Sequence, residues 1–132
     1  WVVDVGKLLC KKNTFNDFVD VAKFLVANFT TPDLLSIEGR SAGGLLIGAA
    51  VNQAPELFRV ALLGRPFVDV VATMTDSTIP LTSGEWVEWF LFVFILTSLD
   101  LSAGHFSASD RYKYYRELAY DFSFLLDQLK LA

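Results

Sequence analysis

The chain has 132 residues, 53% of them hydrophobic and 20% charged, with 11 basic and 15 acidic side chains giving a formal net charge of −4. That length and apolar content suit one domain with a core, and 12 Phe, 4 Tyr and 3 Trp exclude a disordered chain. The acidic balance argues against a nucleic-acid partner, while one cysteine (Cys10) and one histidine exclude an internal disulfide and a histidine metal cluster, so no metal or cofactor is expected.

The first element is a helix over 13–29. Phe15, Phe18, Val19, Ala22, Leu25, Val26 and Phe29 recur at spacings of three and four, which stacks them on one face. Asn13 or Thr14 is its expected cap, with Asp17 as a short acid three residues after Thr14. Thr30-Thr31-Pro32-Asp33 ends the pattern, and Leu34–Glu38 is a short strand candidate. Gly39 to Gly44 forms a glycine-rich corner. From it an apolar helix, Leu45–Asn52, continues until Pro55 pushes the preceding residue out of helical backbone.

Pro55–Phe58 reads as one further helical turn, and Val60–Leu63 as a second strand closed by Gly64 and Pro66. Helix, strand, helix, strand is the order of a parallel sheet flanked by helices. Residues 67–83 are predicted irregular, and the apolar run over 90–99 fits either a strand or a buried helix. Asp110–Leu131 is a second amphipathic helix, with Tyr112, Tyr115, Leu118, Ala119, Phe122, Leu125, Leu126 and Leu129 on its apolar face. The apolar run Phe90–Leu96 has seven residues, against the roughly 20 a membrane span needs. No secretory pattern follows Trp1, so a cytoplasmic chain without membrane contact is expected.

Gly39-Arg40-Ser41-Ala42-Gly43 matches G-x-S-x-G, and it lies between a predicted strand and a predicted helix. In that setting the chain turns so sharply that the serine takes a strained backbone and its hydroxyl is lifted clear of the sheet. The flanking glycines are expected to leave room where a Cβ would collide. The same turn places the N–H of Ala42 at a helix N-terminus, suited to a developing oxyanion. His105 is the candidate base, C-terminal to Ser41 as this motif's chain order requires. Asp69, Asp76 and Asp100 lie between them as candidate acids. Asp69, after the second strand, is the one best placed as a substitute acid, and each also reads as a turn residue.

Further segments give these residues a context. They are Lys12–Phe18, Glu38–Gly44, Val51-Asn52-Gln53 with Pro55–Phe58, Pro66–Val70, Ile79–Trp86 and Ala103–Ser107. In these the chain resembles the catalytic domain of the prolyl oligopeptidase family of serine peptidases, in its oligopeptidase B-like branch, over 6–89 and 103–132. The resemblance implies an α/β-hydrolase fold in which Ser41 attacks a peptide carbonyl and His105 moves the proton. It also implies a short peptide as substrate. Members of this branch cleave after Lys or Arg through paired acids in a Gly-Glu-x-Glu-Glu-Trp segment. Here that segment is Gly84-Glu85-Trp86-Val87-Glu88-Trp89, so Glu85 stands as a substrate-binding residue and Val87 occupies the second acid's place. An apolar residue there weakens the preference for a cation.

Two departures shape the expectation. The family's acid lies between the tryptophan segment and the histidine, whereas here Trp89 runs into 90–102, which resembles nothing in the family. The chain also begins after the segment that supplies the family's second oxyanion donor, and the family's propeller is absent. One incomplete α/β-hydrolase domain over 1–132 is therefore expected, mainly a parallel sheet with several strands missing, with 90–102 as a bridging segment. An exposed sheet edge would favour self-association. Two other readings are a non-catalytic hydrolase-derived fragment that acts by association with other chains, and an esterase or lipase on the same fold. Cys10 has no role in any of them.

Overall fold

The computed structural model describes residues 5–75, Thr78 and residues 111–131. The helix α1 runs Lys12–Asn28 and buries Phe15, Val19 and Ala22, the i, i+4, i+7 stripe of the predicted face. Phe18 and Val26 pack beside it, but Phe29, one residue past the helix, is 75% exposed. The expected cap is not formed. Lys11 is the N-cap and its side chain makes no capping bond, while Asn13 Nδ2 donates to the Val5 carbonyl and Thr14 Oγ1 to that of Gly6. Those side chains tether the preceding segment instead, and Asp17 completes no capping box.

A 3₁₀ turn, Pro32–Leu34, leads into strand β1, Ser36–Arg40. The strand therefore starts and ends two residues later than the apolar run suggests. Leu34 is spent in the turn that Pro32 begins, and Gly39 and Arg40 are drawn in by pairing. The helix α2, Ala42–Gln53, begins three residues before the predicted start and includes both Gly43 and Gly44. A second 3₁₀ turn, Pro55–Leu57, precedes strand β2, Val60–Gly64. β1 and β2 are parallel, in register from Ser36 opposite Val60 to Arg40 opposite Gly64. Two parallel strands joined through a helix are the βαβ unit that the element order predicts.

The core lies around α2, which is apolar on all sides and buries Leu45, Ile47, Ala49 and Ala50. One cluster joins Val19 and Ala22 to Ala50, Ala54 and Leu57; the other joins Phe15 to Leu45, Ala49 and Val70. The larger of these side chains, such as Leu45 and Phe15, each contribute about 1.5–3 kcal/mol when fully buried, and both clusters close on α2.

The stretch predicted irregular from residue 67 contains a third helix, α3, Val70–Thr75. Its β-branched residues argue against a helix. Asp69 overrides them: its Oδ1 accepts the Ala72 N–H at 3.2 Å, and Val70 and Met74 turn one helical step apart into the core. The last helix, α4, spans Arg111–Gln128. Of its predicted apolar face only Leu118, Leu125 and Leu129 are half-buried, while Tyr112, Tyr115, Ala119, Phe122 and Leu126 face outward. Among the described residues no helix is long and apolar enough to cross a membrane.

Candidate active site

The corner between β1 and α2 is a strand–helix elbow with Ser41 at its apex. Ser41 has φ 56° and ψ −121°, a backbone that side-chain-bearing residues rarely adopt and that costs on the order of 1–3 kcal/mol. It persists because both ends of the serine's backbone are held. The Ser41 N–H donates to the Gly64 carbonyl at 3.0 Å. The Ser41 carbonyl accepts the N–H of Gly44 at 2.9 Å, of Leu45 at 3.3 Å and of Phe67 at 2.9 Å. The loop leaving β2 thus holds the elbow through both ends of the serine's backbone.

The three glycines of the corner differ in purpose. A Cβ on Gly39 would sit 2.5 Å from Ile47 Cγ1 and 2.6 Å from the Gly43 carbonyl carbon, so β1 and the first turn of α2 approach only because it has none. A Cβ on Gly44 would lie 2.7 Å from Pro66 Cα. One on Gly43, the closing glycine of the motif, would meet no described atom within 4 Å. The expectation of a collision holds at Gly39 and fails at Gly43; the second steric requirement falls on Gly44.

Ala42 is the first residue of α2, so its N–H has no acceptor within the helix and remains at the positive end of the helix dipole. Ser41 is half-buried and Ala42 exposed. A serine thus stands immediately before an oriented N–H donor at a helix N-terminus. Asp69 lies two residues after Phe67, near this corner in sequence, and is exposed; its Oδ1 caps α3. His105, Asp76, Asp100, Glu85, Val87 and Glu88 lie outside the described residues, as does the segment 90–102. Cys10 is exposed, at the end of a 3₁₀ turn. Among the described residues, no three His, Cys, Asp or Glu side chains group to hold a metal.

The cap gives a sharp test of Asp69. Asparagine caps a helix as well as aspartate, so Asp69→Asn removes only the charge, whereas Asp69→Ala also removes the cap. The expected result is a Ser41 reactivity unchanged in Asp69→Asn, with a stability loss of about 1 kcal/mol in Asp69→Ala by thermal melting. A fall in reactivity on the order of 10⁴-fold in Asp69→Asn would instead make it the acid of a triad.

A parallel βαβ unit with a strained serine on its strand–helix turn is the central piece of an α/β-hydrolase fold, and solved structures agree. Oligopeptidase B from Trypanosoma brucei, with covalently bound antipain, matches 96% of this chain and 26% of its own at a TM-score of 0.80 and 39% identity. Oligopeptidase B from Leishmania major matches 94% of this chain and 25% of its own at 0.78 and 39%. The sequence profile of the prolyl oligopeptidase family covers residues 3–91. The chain belongs to that family, and its fold is a partial α/β-hydrolase fold.

Among curated relatives, Protease 2 of Moraxella lacunata is 53% identical over 90 residues, 67% of this chain and 13% of that protein. Dipeptidyl aminopeptidase BI of Pseudoxanthomonas mexicana is 36% identical over 98% of this chain, which spans 26% of that protein. That alignment runs over 186 positions against the 132 residues here, so at least 54, the excess of 186 over 132, have no counterpart in this chain.

The resemblance was legible from the elbow and its flanking segments. The grip of 64–67 on Ser41 was not. A Gly-Arg-Pro turn after a strand signals a corner but names no partner, and only the register of β1 and β2 brings it to the serine.

Proposed function

We propose that this chain carries the nucleophile of a serine-type oligopeptidase, with Ser41 attacking a peptide carbonyl, His105 as base and the Ala42 N–H as oxyanion donor. The observation that supports this most is the backbone of Ser41, strained at φ 56° at the start of a helix in a chain of a peptidase family. Ser41 Oγ bonds to the carbonyl carbon as its proton passes to His105. That proton then goes to the leaving amine, and water hydrolyses the acyl ester by the same route in reverse. The covalent antipain adduct of the trypanosomal oligopeptidase B supports covalent chemistry in a relative. Glu85 is proposed to bind a basic side chain of the substrate, weakly because Val87 replaces its companion acid.

Reaction with an active-serine phosphonate probe tests the reading. Labelling of the purified chain that disappears in Ser41→Ala and in His105→Ala is the expected result; a folded chain that resists the probe would overturn it. A specific observation favours the second reading, association with other chains. Tyr112, Tyr120 and Phe122 on α4 are 69%, 74% and 52% exposed, and the described sheet has only two strands. An unlabelled, folded chain that sediments as an oligomer would support that reading.

A further inference from the structure

Two arginines join the helix α4 to the strand β2. Arg59, immediately before β2, donates from Nε to the Gln128 carbonyl at 3.0 Å, at the C-terminal end of α4. Arg65, immediately after β2, pairs with Glu117 at 3.5 Å, and the two side chains are 21% and 38% exposed. The dimensions match. Arg59 to Arg65 is six residue steps of extended chain, about 20 Å, and Glu117 to Gln128 is eleven steps of helix, about 16 Å. The helix therefore lies antiparallel to β2, fastened near both ends of the strand.

Arg65 itself has φ 46°, in the left-handed region that a side chain with a Cβ rarely enters. It stands between the Gly64 carbonyl that receives the Ser41 N–H and the Phe67 N–H that donates to the Ser41 carbonyl. Both bonds that hold the strained serine from the β2 side thus emerge from a turn whose own strained residue is pinned by α4. Pro66, which packs on Gly44, lies within the same turn. A partly exposed ion pair of this kind shifts an opening equilibrium by no more than about fivefold, so its loss is expected to loosen the turn without unfolding the chain.

We propose that Arg65 is a positioning residue for Ser41: held by Glu117 of α4, it fixes the turn 64–67 whose backbone grips the nucleophile. The proposal rests on the reading of Ser41 as a nucleophile only for its consequence in activity; the grip can be measured without it. Amide hydrogen exchange resolved by residue, on the full chain, is the experiment. In Glu117→Gln, whose side chain leaves the elbow untouched, the Ser41 and Phe67 amides are expected to exchange about two- to fivefold faster through local opening, while Leu25 in α1 is unchanged. Arg65→Met should act alike, Arg65→Lys should restore most protection, and the double variant Arg65→Met with Glu117→Gln should be no worse than either. Unchanged exchange at Ser41 and Phe67, or an equal rise in α1, would overturn the proposal. Phosphonate labelling run in parallel should slow several-fold in Glu117→Gln. If the unaltered chain is not labelled, the peptidase reading fails while the exchange data still decide the grip.

Discussion

Gly39→Ala is expected to unfold the βαβ unit or lower its stability by about 3 kcal/mol, at the upper end of what overpacking costs. The added methyl would press on Ile47 Cγ1 at 2.5 Å and on the carbonyl of Gly43. Neither can yield cheaply. Ile47 is 1% exposed and fully enclosed, and the carbonyl belongs to the first turn of α2, whose position is fixed by the bonds to Ser41. Gly43→Ala is the control, in the same motif and with the same added atom. It meets no described atom within 4 Å and lies inside a helix, where exchanging glycine for alanine gains up to about 1 kcal/mol. Thermal melting of the two variants should separate them by many degrees, with Gly43→Ala at or above the parent. Equal losses would refute the division of labour between the two glycines. A Gly43→Ala chain that is stable but unlabelled by the phosphonate would place the substrate's acyl group over that residue.

This contrast marks the limit of what the sequence discloses. Periodicity finds α1 through Phe15, Val19 and Ala22, and punctuation at Pro32, Pro55 and Gly64 finds the strands to within two residues. These are local signals, and the elements obey them. A motif of five residues also predicts the elbow, because the strain at Ser41 is a property of the turn itself. The sequence is silent wherever the cause is a distant partner. Asn13 and Thr14 look like caps and instead bond the chain before the helix. Val70 to Thr75 look like coil and fold as a helix because Asp69 caps it and the core accepts Val70 and Met74. The stripe on α4 predicts a buried face, yet Tyr112, Tyr115 and Phe122 lie outward, since periodicity records that a face is apolar and not what covers it. Arg65 carries no motif. Its significance comes from standing between two hydrogen bonds to a residue 24 positions earlier.

The second large effect concerns what the proposed site does without the family's usual acid. The family profile ends at residue 91, and at least 54 aligned positions of the dipeptidyl aminopeptidase BI find no counterpart here. The acid-bearing stretch expected to be missing lies between the tryptophan segment and His105. An unpartnered imidazole lacks the carboxylate that selects its tautomer and stabilises its cation, a loss on the order of 10⁴-fold in turnover. A peptide bond, with its poor leaving group, is then expected to survive incubation with this chain. An activated ester, whose leaving group needs no protonation, should be hydrolysed slowly. The same reasoning predicts strong non-additivity. Nucleophile and base act as one unit, so Ser41→Ala, His105→Ala and the double variant should reduce ester turnover to the same floor. Assay of all three with one activated ester and one peptide checks this. Ester turnover that survives in Ser41→Ala would remove the elbow from the chemistry. Peptide cleavage at rates within tenfold of an intact oligopeptidase B would show that a carboxylate elsewhere in the chain has taken the acid's place.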